Sequence, residues 1–205
     1  MTEYLVPTKD AEAEFVEKRS RFLSHVFLVN TEDEALARLK QMRETYWDAT
    51  HNVYAYIIRD GATRFSDDGE PGGTAGMPVL QVLQREGMFN ILCVVTRYFG
   101  GTLLGTGGLV RAYTKAAQGA LENAQLMSMI SCVDVQVIMP YSLYDTALYT
   151  LEKAAAKVLS TGFTDQVTLF FRMKEGEVDP VVESLRELLA GRGKLVTGDP
   201  HLDSW

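Results

Sequence analysis

Asn90-Ile91-Leu92-Cys93-Val94-Val95-Thr96-Arg97-Tyr98, then Phe99-Gly100-Gly101-Thr102-Leu103-Leu104-Gly105-Thr106-Gly107-Gly108, then Leu109 onward: this run decides the fold. Its first part is apolar at odd and even positions alike, which predicts a central strand covered on both faces. The five glycines that follow predict a turn, and Leu109, Ala112, Ala116, Ala120 and Ala124 then keep the three-to-four spacing of an amphipathic helix. A buried strand feeding a helix through a tight turn implies a sheet with helices packed on it.

Working outward, residues 21–29 and 51–58 read as further strands, being rich in β-branched and aromatic side chains. Between them, Thr31 precedes an acidic first turn and a helix through Met42. Residues 60–76, dense in glycine and acids, read as a loop, and 78–85 as a short helix. Near residue 129 the pattern restarts. A strand to Met139 is followed by a helix with Ser142 and Asp145 in capping-box positions. One or two strands lie between 156 and 173, with a turn near Thr164 and Asp165. Then come a helix capped by Asp179 with Pro180 in its first turn, a stop at Gly191, and a last strand near Leu195. This order predicts a ferredoxin-like βαββαβ unit. The expected fold is therefore α+β in two domains, 1–129 and 130–205, with residues 199–205 as a loose tail.

Of the 205 residues, 46% are hydrophobic and 23% charged, a composition that fits globular domains with cores. No basic segment leads into an apolar one at the start, and no apolar run spans a bilayer, so neither export nor membrane insertion is expected. With only Cys93 and Cys132, and Cys93 inside the apolar strand, a cytoplasmic chain without disulfides is expected. The net charge of −7 argues against non-specific coating of nucleic acid, although no acid interrupts residues 87–121, where Arg97, Arg111 and Lys115 fall.

Two segments carry candidate chemistry. In 65–76, Asp67, Asp68 and Glu70 form a carboxylate set suited to a hard cation such as magnesium; the alternative is an acidic turn, with Thr74 capping the next helix. In 97–108, the backbone at Gly100, Gly101, Gly105, Thr106, Gly107 and Gly108 can approach an anion at the positive end of the following helix, with Arg97, Arg111 and Lys115 adding charge. The glycines serve equally as turn formers and packing positions. Leu109 and Val110 stand where a Walker loop needs lysine and a hydroxyl, and Val110 where a dinucleotide fingerprint needs its third glycine. His51, at a strand end, is placed to reach the acidic loop, whereas His25 reads as a strand histidine and no nucleophile elbow is present.

Together the two segments resemble signatures of the YigZ/IMPACT family: Phe65 through Gly76 to Pro78, and Val95 through the glycines to Tyr113. Lys18-Arg19-Ser20-Arg21-Phe22 and His51 match at further positions. The resemblance implies a first domain like domain IV of elongation factor G and a related ribosomal-protein domain, and a second like domain V of that factor. It does not carry over the eukaryotic members' restraint of a translational stress kinase, which rests on a further domain. The expected function is non-enzymatic regulation of translation, contacting ribosome, RNA or a translation factor through a glycine-rich basic surface that includes Arg21 and His51. The alternative is an enzyme acting on a small phosphorylated ligand, with a metal at the acidic loop.

Overall fold

The computed structural model describes residues 3–205. They form two compact units, Tyr4–Ser128 and Met129–Trp205.

The first unit is built on a five-stranded sheet ordered β2-β3-β6-β4-β5, comprising Ala11–Glu17, Ser20–Leu28, Ile91–Tyr98, His51–Ile57 and Thr63–Ser66, every pairing antiparallel. β6 is central, as its continuous apolar run requires, and Ile91–Val95 are all fully buried. On one face lie α2 (Gly76–Arg85) and α3 (Thr106–Asn123), packed on Phe22, Val53, Cys93 and Val95. On the other, α1 (Glu32–Thr45) lays Ala35, Leu39 and Met42 on Phe27, Tyr56, Leu92 and Val94. Thr31 caps α1 by accepting the Glu34 amide proton at 3.2 Å. β1 (Tyr4–Pro7) is held to this unit by Leu5 N–H on Gly87 O and Phe89 N–H on Leu5 O.

Some expectations need correction. Residues 60–76 are not all loop, since Thr63–Ser66 forms β5 on the edge of the sheet. The edge position explains the weak signal: three of its four side chains are exposed, so no apolar alternation marks it. β2 also escaped the sequence reading because its alternating acids face solvent.

β7 (Leu126–Met139) runs into the second unit from residue 129, and α4 (Tyr141–Lys153), β8 (Lys157–Phe163), β9 (Val167–Lys174), α5 (Val178–Leu189) and β10 (Lys194–Thr197) follow in order. β10 pairs β7, β7 pairs β9 and β9 pairs β8, all antiparallel, which is the ferredoxin-like arrangement. Val133, Val135, Val137, Leu169 and Phe171 turn to α4 and α5 and form the core with Leu143, Leu151, Val182 and Leu185. Neither expected cap is made: α4 starts after Pro140 and α5 after Glu177, both without a side-chain cap bond. Residues 199–205 are not a loose tail either. His201–Ser204 forms β11 and pairs with Met129–Cys132 of β7, while the side chain of Arg172 bonds both Asp134 and Asp203.

Candidate functional site

The site grows from one cross-strand row of the first sheet. Phe22 on β3 stands opposite Arg97 on β6, and Arg97 stands opposite His51 on β4. Side chains alternate across a strand, so all three point to the face covered by α2 and α3. The same alternation sends Arg21 to the opposite face, where it forms two bonds to Glu14 at 2.5 and 2.9 Å. Arg21 is therefore not part of this site.

Glu70 comes down onto that row from the loop after β5. The loop is held open by Asp67, whose carboxylate accepts the amide protons of Gly73 at 2.8 Å, Ala75 at 3.0 Å and Gly76 at 2.8 Å. Asp67 rather than Thr74 thus satisfies the start of α2; the Thr74 hydroxyl donates instead to Pro71 O. Gly76 is required here, because a Cβ would lie 2.6 Å from Ser66 O. Asp68 points elsewhere: it accepts the Asn52 amide proton at 2.6 Å and meets Arg43 at 3.4 Å.

Glu70 itself is buried, and its Oε1 accepts from Arg97 Nη1 at 2.6 Å and from the Tyr113 hydroxyl at 2.7 Å. The second Arg97 nitrogen, Nη2, donates to Ser20 Oγ at 3.2 Å, and the guanidinium carbon lies 5.5 Å from the ring centres of both Phe22 and Phe99. Burial first, and the Glu70 charge second, push the Tyr113 hydroxyl well above its ordinary value, so it stays protonated and donates. His51 donates from Nδ1 to Asp68 O at 2.8 Å, which leaves Nε2 turned toward Glu70, 3.8 Å from its Oε1.

Above this cluster lies a cleft of about 430 Å³ lined by His51, Glu70, Pro71, Arg97, Phe99 and Leu103 together with Leu104, Gly105, Thr106 and Leu109. The two glycine-rich segments therefore converge. They do so around a buried ion pair and the start of α3, not around a metal: among the described residues no group of three His, Cys, Asp or Glu side chains is placed to hold one. Asp67, Asp68 and Glu70 go three separate ways, each drawn by a different partner.

The expected basic face also divides. Arg97 is buried and paired, whereas Arg111 and Lys115 are exposed on α3 and line a separate recess with Lys18, Glu17, Phe15 and Gly108. Lys115 Nζ sits 4.7 Å from the Phe15 ring centre. Gly100 and Gly101 do not line the cleft. Gly100 packs so closely on the β2–β3 turn that a Cβ would fall 2.0 Å from the Arg19 carbonyl carbon. Gly107 lies beside Arg111, whose Nη1 would be 3.5 Å from an added Cβ.

Two buried participants, Ser20 and Tyr113, were not singled out from the sequence. Tyr113 carried a legible signal: it is a hydroxyl on the buried stripe Leu109, Ala112, Ala116, Ala117 of α3. Ser20 carried no chemical signal beyond its place in the Lys18–Phe22 family match, since its role depends on the fold bringing it 77 positions along the chain to Arg97.

Comparison with known proteins agrees with both units. Residues 18–121 match the Impact N-terminal domain, and residues 137–192 match a domain of unknown function, DUF1949. The IMPACT family member YvyE of Bacillus subtilis is 32% identical over 198 residues, covering 96% of this chain and 91% of its own. An IMPACT family member of Haemophilus influenzae is 33% identical, covering 94% and 95%. A crystal structure described as that of a hypothetical protein is 29% identical with a TM-score of 0.60, covering 96% of this chain and 97% of its own.

Proposed function

The chain belongs to the IMPACT family, and from that premise we propose that it is a non-enzymatic, translation-associated regulatory protein that binds structured RNA. The contact surface is the recess beside the start of α3, where Lys18, Arg111 and Lys115 stand together. One observation carries this reading. In a chain of net charge −7, these three exposed cations gather at one place, and none has a carboxylate within ion-pair distance among the described residues. Unpaired cations on one surface are the footprint of a phosphate-binding face. The elongation-factor-like pairing of domains implied by the family resemblance supports the same direction by analogy of fold.

No comparable support exists for the alternative of a metal-dependent enzyme, because the carboxylates it needs are committed to backbone amides and to Arg97. The test is filter binding of a structured RNA between about 50 and 200 mM salt. Binding should weaken steeply with salt, and replacing Arg111 and Lys115 together by alanine should reduce the slope of log K against log salt by about 2. Absence of binding at the lowest salt, or an unchanged slope in the double variant, refutes the proposal.

A further inference from the structure

Two consecutive residues with left-handed backbone, neither of them glycine, stand at the edge of the recess beside α3. The β2–β3 hairpin closes with Glu17 opposite Ser20, so its loop consists of Lys18 and Arg19 alone, at φ +44° and +69°. A two-residue turn with positive φ at both positions has the twist its flanking strands require, and asparagine or aspartate followed by glycine makes it without strain. Lysine and arginine make it against the crowding of their own Cβ atoms. They gain nothing local in return, since neither side chain has a hydrogen bond or ion pair among the described residues.

The rest of the unit holds this turn in place. Ser20 Oγ, next in the chain, accepts from Gly100 N–H at 3.2 Å and from Arg97 Nη2 at 3.2 Å, and Gly100 packs on the Arg19 carbonyl too closely for any Cβ. Strain that the surroundings keep in place collects where a protein meets its ligand. What the turn presents is charge. Lys18 lines the recess with Arg111 and Lys115, Arg19 is exposed beside it, and Glu17 is the one acid in the lining. The recess holds about 220 Å³, less than the sites that enclose a small molecule, and its cations come from two sides, the hairpin turn and α3. Cations spread around so small a hollow fit a chain of phosphates laid across it better than a single enclosed phosphate.

We infer that Arg19 is a further nucleic-acid contact, and that the strained turn holds Lys18 and Arg19 against the sugar–phosphate backbone of an RNA that Arg111 and Lys115 grip from the other side. This rests on the RNA-binding reading above, and adds to it a residue and the reason for its conformation. The experiment compares the full chain with two double variants, by the same salt-dependent filter binding and by thermal unfolding. K18Q/R19Q removes both charges and leaves the turn strained: the slope of log K against log salt should fall by about 2. Its Tm should stay within about 2 °C of the parent, as for other surface changes. K18N/R19G supplies the residues the turn prefers, so it should lose the same slope while its Tm rises by about 4–8 °C. Either pair combined with R111A/K115A should lower the slope by about 4. A parent that binds no RNA at the lowest salt removes both readings at once. A parent whose slope responds to R111A/K115A but not to K18Q/R19Q keeps the RNA face and overturns this inference alone. So does a K18N/R19G variant that binds as the parent does or is no more stable than it, or a K18Q/R19Q variant that unfolds well below the parent, which would give the two side chains to the fold instead.

Discussion

Truncating Glu70 to alanine should destabilise the first unit more than any single surface change, because it leaves a charge stranded. The Glu70 side chain is 3% exposed and that of Arg97 5%, so neither is appreciably solvated. Breaking a buried pair by removing one partner costs about 3–5 kcal/mol, since the other charge stays desolvated without compensation. Arg97 keeps Ser20 Oγ at 3.2 Å and the two flanking rings, but it has these already and gains nothing new. Tyr113 also loses its acceptor. For a unit the size of Tyr4–Ser128, roughly 4 °C per kcal/mol gives a fall in Tm of about 12–20 °C. Glu70→Gln keeps the accepting oxygen and the shape, and should cost about half as much. Adding Arg97→Met to Glu70→Ala removes the stranded charge, so the double variant should be more stable than the sum of the two singles predicts. The assay is urea unfolding followed by Trp47 fluorescence in a Trp205→Phe background, so that the signal comes from the first unit. A Glu70→Ala variant within about 1 kcal/mol of its parent, or a double variant no better than additive, would refute the stranded-charge reasoning.

Other perturbations probe the remaining features. Gly100→Ala drives a Cβ to 2.0 Å from the Arg19 carbonyl carbon, backbone against backbone, and should cost roughly 3 kcal/mol or more in the same unfolding assay. Cys93 is fully buried and its thiol is pushed up to about 12 by burial, so a thiol reagent at neutral pH should label it only on denaturation. Cys132 is also fully buried, opposite His201 of β11, so removing residues 201–205 should make it reactive in the folded chain while Cys93 stays protected. Burial depresses His25 below its ordinary value, with Glu12 opposing. The unfolded chain therefore binds the proton more readily, and stability should fall as pH drops through and below about 6.5. Urea midpoints at pH 7.5 and 5.5 should differ less in His25→Phe than in the parent.

How much of this was legible beforehand follows from what each residue's role depends on. β6 and α3 were readable because burial on both faces, and a stripe of small residues at helical spacing, leave their mark in the residue types themselves. The order of elements in the second unit was readable for the same reason. β5 and β11 were not: an edge strand with exposed side chains, and a terminal strand held by Arg172 and by backbone pairing with β7, look like loop and tail. In the site, glycines and acids announced that two segments matter, but not what they meet. Asp67 looks like a metal ligand until three amides are found around it, and Arg97 looks like a free cation until Glu70 is found 2.6 Å away. Those partners lie 6 to 27 positions distant, at spacings that no local pattern encodes.

The carboxylate of Glu70 draws together a β5–α2 loop, a strand-borne arginine and a helix-borne tyrosine, with a serine from a second strand behind them. Ser20 and Tyr113 stand 93 positions apart, so only a stretch spanning most of the first unit contains all four, and the hollow above them is a property of the assembled unit. Occupancy of that hollow would consequently act on the unit as a single cooperative block, raising resistance to unfolding in distant α1 as much as at the contact itself.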